Sequence, residues 1–324
     1  MTSASPSPEQ IGIRQLREDD LPEADRVFRL AFGTFIGAPD PERFGGDGDY
    51  VRTRWRSDPN ATRCALEGER LIGSNFAGNW GSFGFFGPLT VDPAYWDRRV
   101  AQQLLASTME IFRSWGSKHL GLFTFSNSPK HMALYQKFGF WPRDLVALMG
   151  KEISAWQDAV RADVAKFRDV PREAKPRFLA DCREVSEANF DGLDLSREIE
   201  AVEQQKLGET MLISSGSKPA AFAVCHAGAG TEAGSGVCYI KFAAVHPAWQ
   251  PEENLGALLK ACRDYGRSRG VTKLTTGVNL ARREAFRTLT KLGFRTVMQG
   301  VAMETGDVLE GYNRAGVYIL DDWR

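Results

Sequence analysis

The sequence predicts an α+β (mixed α/β) chain of two tandem domains, each a mostly antiparallel mixed sheet flanked by helices. Three observations carry that prediction. The chain is 324 residues long, too much for one ordinary core and suited to two domains of roughly 150 residues. A set of anchor residues recurs at one fixed spacing across the two halves. Within one half, two-residue periodicity gives way to helical spacing and back again.

Composition bounds the function classes. Apolar residues make up 43% and charged residues 25%, the balance of a folded chain. Forty-one basic and forty-one acidic side chains cancel, so no global field draws the protein to nucleic acid or an anionic bilayer. Any anion it binds must be held locally. Met1 to Gln10 is rich in Ser and Pro but lacks a basic start and an apolar run, and reads as a disordered tail. No window reaches the ~18 apolar residues of a membrane span, so a cytoplasmic location is expected. Cys64, Cys182, Cys225, Cys238 and Cys262 never fall as Cys-x-x-Cys. They read as core thiols, with no disulfide framework and no metal site.

The repeat is explicit. Val91-Asp92-Pro93-Ala94-Tyr95 precedes a helical stretch with Leu104 and Leu105, and Phe138-Gly139-Phe140 follows. In the second half Val245-His246-Pro247-Ala248-Trp249 precedes Leu258 and Leu259, and Leu292-Gly293-Phe294 follows. Pro93 and Pro247, Leu104 and Leu258, Gly116 and Gly270, Lys137 and Lys291, and Gly139 and Gly293 all lie 154 residues apart. About fifty residues thus run without a net insertion, which is the signature of a duplicated domain. The match fades upstream, where the second copy has its own Gly- and Ala-rich loop, Ala227 to Gly236. The expected division is 1–151, a helical linker over 152–176 broken at Pro171 and Pro176, and 177–324.

Within the first copy, Ile11 to Leu16 alternates as a strand, and Asp19-Asp20-Leu21-Pro22-Glu23 opens a helix through Ala24, Val27, Phe28 and Ala31. Gly33 to Pro59 lacks periodicity and reads as a loop with short helical pieces. Cys64 to Leu66 and Leu71 to Phe76, separated by Gly68-Glu69-Arg70, form a hairpin. Phe83 to Val91 is an apolar strand dense in Gly and Phe. The next helix buries Val100, Leu104, Leu105, Met109 and Phe112. Leu120 to Phe125 is a strand, and Lys130 to Phe138 is a helix capped by Gly139.

At this point the residues resemble the GNAT superfamily of N-acetyltransferases, in a tandem two-domain arrangement. Its signature is a strand ending near Val-x-Pro, a loop Gln/Arg-x-x-Gly-x-Gly/Ala opening a helix, and later Leu-Tyr followed by Lys-x-Gly-Phe. Val91-Asp92-Pro93 and Leu134-Tyr135-Gln136-Lys137-Phe138-Gly139-Phe140 match it. The loop departs from it: Trp96 stands at the Gln/Arg position, Arg99 at the first Gly, and Ala101 at the small-residue position. Such a loop aims backbone N–H groups from a helix N-terminus at the pyrophosphate of the cofactor, where Gly permits close approach. Arg99 either crowds the phosphates or pairs with them. In the second copy the loop is Gln250-Pro251-Glu252-Glu253-Asn254-Leu255, with two carboxylates at an anion site, and Leu289 stands where the first copy has Tyr135. The second copy therefore reads as degenerate.

The resemblance implies transfer of an acetyl group from acetyl-CoA to the amine of a small-molecule acceptor by direct attack. Tyr135 matches the general acid. Trp96, Arg98, Arg99, Val100 and Ala101 would line the phosphate loop, Leu89 and Val91 would offer backbone groups to the pantetheine arm, and Ser128 falls where the family often has Asn. No general base is assigned; His131 shares a helix face with Tyr135. Asp49, Arg52, Arg54 and Arg56 close the irregular loop that shapes acceptor pockets in this fold. Gly45 to Asp49 superficially resembles a calcium loop without its regular ligands. The alternatives are a non-catalytic acyl-CoA-binding sensor or scaffold, and a GNAT-like decarboxylase or acyl-carrier-protein enzyme. A monomer or homodimer is expected.

Overall fold

The computed structural model describes residues 11–156, 163–306 and 311–324; the expectation for Met1 to Gln10 lies outside them. The first copy runs β1 (Ile11–Gln15), α1 (Leu21–Phe35), α2 (Val51–Ser57), β2 (Thr62–Glu67), β3 (Arg70–Trp80), β4 (Phe83–Phe86), β5 (Thr90–Val91), α3 (Val100–Trp115), β6 (His119–Thr124), α4 (Pro129–Gln136) and β7 (Phe140–Glu152). The second repeats this order with a single strand, β11, in place of β4 and β5: β8 (Val164–Lys166), α5 (Lys175–Glu187), α6 (Ser196–Gln204), β9 (Gly208–Ser215), β10 (Lys218–Gly228), β11 (Gly234–Val245), α7 (Pro251–Ser268), β12 (Lys273–Asn279), α8 (Arg283–Lys291) and β13 (Arg295–Thr305). A short β14 (Ile319–Leu320) follows.

Two compact units are present. One holds the described residues up to Gly46, Tyr50–Gly78 and Phe86–Trp115; the other holds Asp47–Asp49, Asn79–Phe85 and the described residues from Gly116 on. In the first, β1, β2 and β3 are successively antiparallel, and β5 pairs β3. Helix α1 packs Ala24, Val27 and Phe28 with Cys64 and Leu71, while α3 packs Val100 and Leu104 with Ala65 and Ile72. Adjacent strand residues thus go to opposite faces, as the two-residue pleat requires.

In the second unit the strands run β4-β6-β13-β7-β12-β11-β10-β9-β8. Only β4 with β6 and β11 with β12 are parallel among these pairs. The two parallel ladders share one register. Phe83 faces His119 and Phe85 faces Gly121; Val237 faces Lys273 and Tyr239 faces Thr275, each 154 residues on. Between the ladders the closing strands interleave. β13 lies between β6 and β7, with Val301 opposite both Thr124 and Leu145, and β7 lies between β13 and β12, with Met149 opposite Thr276. Ala221, Ala223 and Cys225 of β10 join Leu255, Leu258, Leu259 and Cys262 of α7, whereas Phe222 and Val224 join Phe178, Cys182 and Val185 of α5.

Three local readings differ from the structure. The strand expected over Phe83 to Val91 is divided at Gly87-Pro88, because Pro88 has no N–H to give a ladder. The helical linker expected over 152–176 falls partly on 157–162, outside the described residues; the described part holds three single-turn 3-10 segments, β8 and the first residues of α5. β8 is short, and its pairing with Met211–Ile213 of β9 decides its conformation. The expected cut after Lys151 falls inside β7.

The acidic loop at Gly45 to Asp49 is a tie. Asp47 Oδ1 accepts from the Ser235 N–H at 2.8 Å and its other oxygen from the Ser235 hydroxyl, while the Asp47 carbonyl accepts from Gly230 N at 3.0 Å. Asp49 N donates to the Thr231 carbonyl at 2.9 Å. Among the described residues no group of three or more His, Cys, Asp or Glu could hold a metal ion, and no helix is long and apolar enough to cross a membrane. All five cysteines are free and buried.

Candidate cofactor and catalytic site

Two groups of the candidate residues stand in different compact units. The first surrounds the entry to α3. Asp92 N donates to the Ile72 carbonyl of β3 at 2.9 Å, so the alternation of an extended chain turns the main-chain groups of Val91 and Leu89 away from β3. The Val91 carbonyl accepts from the Trp96 indole N–H at 2.8 Å. Asp92 caps the turn below: its Oδ1 accepts from Ala94 N at 3.0 Å and its Oδ2 from Arg70 at 3.1 Å. Arg54 of α2 donates to the Gly87 carbonyl and holds the bend between β4 and β5. Arg54 thus has a structural place in the sequence-predicted pocket loop.

Arg98 and Arg99 are not equivalent. The Arg98 guanidinium donates to Glu67 Oε1 at 2.5 Å and lies 4.8 Å over the Tyr95 ring. Tyr95 donates to Glu67 Oε2 at 2.8 Å. These bonds from Tyr95 and then Arg98 lower the Glu67 carboxyl below its ordinary range, and the same bond raises the Tyr95 phenol. Arg99 instead has φ 62°, the left-handed region that favours glycine, and an exposed side chain. Among the described residues that side chain has no hydrogen-bond or ion-pair partner. It stands directly before α3, whose first-turn N–H groups lack intrahelical partners. Val100 is buried and Ala101 half-buried in that turn. Glu67, which with Tyr95 determines the fate of Arg98, was not singled out from sequence; its position beside the β2-β3 turn, paired with Arg70, is the signal for it.

The second group lies on α4. Ser128 caps the helix by accepting from His131 N at 3.4 Å, and Pro129 supplies the fixed φ of the first position. Tyr135, one turn before the Gly139 cap, is buried. Burial pushes its phenol up to about 12, against a smaller opposing effect of its hydrogen bond with Thr124 of β6. His131 is half-buried beside the Phe125 ring, and burial lowers its imidazole. Leu289, the 154-residue equivalent of Tyr135, is wholly within the core of the second copy.

Comparison with known proteins bears on the family and the fold. Residues 25–140 match the acetyltransferase (GNAT) family. No curated protein is matched in sequence. Among solved structures, the chain is similar to a Pyrococcus horikoshii protein, with 15% identity, a TM-score of 0.67 and 97% of each chain covered. It is also similar to a GCN5-related N-acetyltransferase from Sphaerobacter thermophilus, with 13% identity, a TM-score of 0.60 and coverage of 95% of this chain and 98% of that one. A tandem GNAT protein from the clavulanic acid biosynthesis pathway aligns at 14% identity and a TM-score of 0.56, over 91% of this chain and 98% of its own. Residues 25–140 therefore match the GNAT acetyltransferase family, and the chain as a whole has the fold of these GCN5-related and tandem GNAT structures.

Proposed function

We propose that the chain is an acetyl-CoA-dependent N-acetyltransferase of a small-molecule amine, with the first copy as the cofactor-binding one and the second as degenerate. The observation that carries this reading is Arg99: an exposed guanidinium without a protein partner among the described residues, set in a left-handed conformation at the mouth of α3. A cation and unpaired helix N–H groups together suit a pyrophosphate. The equivalent loop of the second copy has Glu252 and Glu253 in the first turn of α7, which repel one.

In direct transfer the neutral acceptor nitrogen bonds to the thioester carbonyl carbon and gives up a proton to water, the carbon–sulfur bond breaks, and the sulfur leaves as thiolate. Leu89 and Val91 would orient the pantetheine arm by main-chain bonds. Tyr135 remains a neutral phenol throughout the working pH range, so it is a donor and not a base. Its raised pKa of about 12 exceeds that of a free thiol at about 8.5. Its contribution is therefore a hydrogen bond to the sulfur as charge builds, with the proton passing over as far as burial makes the thiolate more basic.

Calorimetric titration with acetyl-CoA, with Arg99→Glu alongside, tests the binding half. One site per chain, weakened at least tenfold by the charge reversal, is expected; absence of binding by calorimetry and by a second method sinks the reading. A second reading is a non-catalytic acyl-CoA binder, favoured by Trp96, which stands where the family's loop has Gln or Arg. Thiol release in the presence of an amine panel separates the two, since a binder releases none.

A further inference from the structure

The same positions that the first copy would use for its cofactor have equivalents 154 residues on, and in the second copy these are occupied by the chain itself. Leu89 and Val91 correspond to Ala243 and Val245 of β11. Val245 N donates to the Tyr318 carbonyl at 3.0 Å, and Ala243 lies opposite Leu320 in the antiparallel β11-β14 ladder. Ser128 corresponds to Arg282, which is wholly buried and donates to the Ile319 carbonyl at 3.0 Å and to Asp321 Oδ1 at 2.9 Å. Beyond Ile240 and Thr276 the two parallel strands of this copy are no longer paired to each other, and β14 fills that opening.

The fit is close. A Cβ on Gly277 of β12 would stand 2.3 Å from the Asp322 Cβ and 2.8 Å from the Asp321 carbonyl, so this strand comes against the segment with no side chain between them. Asp322 Oδ1 accepts from the Tyr239 hydroxyl of β11 at 2.9 Å. The Trp323 ring lies 4.8 Å from that of Phe83 and 5.6 Å from that of Tyr312. A strand with main-chain groups on one edge thus takes the place that the extended arm of a cofactor would need.

We propose that residues 317–324 are a built-in occupant of the second copy's cofactor slot, so that the chain binds one acyl-CoA and not two. The proposal rests on the acyltransferase reading for the identity of the ligand, but the exclusion can be read separately. Deuterium exchange on the full chain, with and without acetyl-CoA, is the primary test. Amides of Ala243 and Val245 are expected to be slow in both states and unchanged by the cofactor, with new protection confined to 87–101. Added protection over 243–256, or two molecules bound per chain, overturns the proposal. No binding in either region sinks the transferase reading alone.

A chain ended at Gly316 then decides the exclusion, probed with S-acetylpantetheine, which has no phosphates for Glu252 and Glu253 to repel. Protection of Ala243 and Val245 by this probe, reversed by a peptide of residues 317–324, is expected; a folded truncated chain that takes no probe there overturns the proposal. Should the truncated chain not fold, Arg282→Ser in the full chain serves instead. It restores the residue type of the first copy and is expected to speed exchange at Ala243 and Val245 at least tenfold, and unchanged exchange overturns the proposal.

Discussion

Arg98 and Tyr95 hold opposite oxygens of one carboxylate, Glu67 Oε1 and Oε2, at 2.5 and 2.8 Å. The pair is therefore a clamp on the β2-β3 hairpin, and Arg99 is the adjacent cation left facing outward. Arg98→Ala is expected to change acetyl-CoA affinity less than threefold, whereas Arg99→Glu weakens it at least tenfold, about 1.4 kcal/mol. Calorimetry on both variants checks this; equal effects would dissolve the distinction.

Arg99→Gly separates charge from conformation at the same site. Left-handed geometry is unfavourable for a residue with a Cβ by about 1 kcal/mol, so the glycine variant is expected to be more stable to urea by that order while binding acetyl-CoA more weakly. A fall in stability would show that the Arg99 side chain supports the loop in a way its exposure conceals.

For Tyr135, removing only the hydroxyl is the informative change. Tyr135→Phe is expected to lower kcat with little change in acetyl-CoA affinity, by single-turnover kinetics and calorimetry. The folded phenol titrates near 12 and an unfolded one near 10. Its raised pKa thus contributes stability that is complete below pH 10 and lost as pH rises toward 12. The contribution is about 2–3 kcal/mol from a two-unit shift. Urea unfolding between pH 9 and 12 should show a smaller alkaline loss in the Phe variant than in the parent; Tyr265, also pushed to about 12 by burial, supplies a share common to both.

Lys241 joins Glu198 at 2.9 Å and Glu232 at 2.8 Å inside the second copy. Burial alone would raise the Glu198 carboxyl, but Lys241 and then His226 outweigh it and bring it to about 2. This lowered pKa contributes stability present above pH 4.5 and lost as pH falls toward 2. Lys241→Met leaves two buried carboxylates without their cation and is expected to destabilise by about 3–5 kcal/mol at pH 7, with partial recovery on acidification as the carboxyls protonate. Equilibrium unfolding at pH 7 and 5 measures both.

Much of the fold can be read from the residues because local period and burial agree. Val27, Phe28 and Ala31 lie at helical spacing and pack on one face of α1, and Gly139 closes α4 with φ 84°. What escaped reading was decided by partners distant in sequence. The pleat of β7 is satisfied by any neighbouring strand, so nothing local to Phe140–Glu152 announces β13 on one side and β12 on the other. Val164–Lys166 becomes a strand only because β9 offers it an edge. At the candidate site, the types at Trp96, Arg98 and Arg99 were visible, but the commitment of Arg98 to Glu67 depends on the hairpin that brings residue 67 beside it. Asp321 and Asp322 are buried against Arg282 and Tyr239, partners about forty and eighty residues away in sequence.

The interleaving of β7 and β13 has a consequence for biosynthesis. A ribosome adds roughly 5–20 residues per second, and β6 emerges well before β13, which supplies its antiparallel neighbour at Val301–Glu304. For some 10–35 seconds at that speed, the first half stands outside the tunnel with the flank of β6 bare. Unpaired strand edges are what nascent chains aggregate through. The duplicated halves are consequently interdependent at birth, and a gene fragment encoding either one alone is expected to yield inclusion bodies rather than a working half.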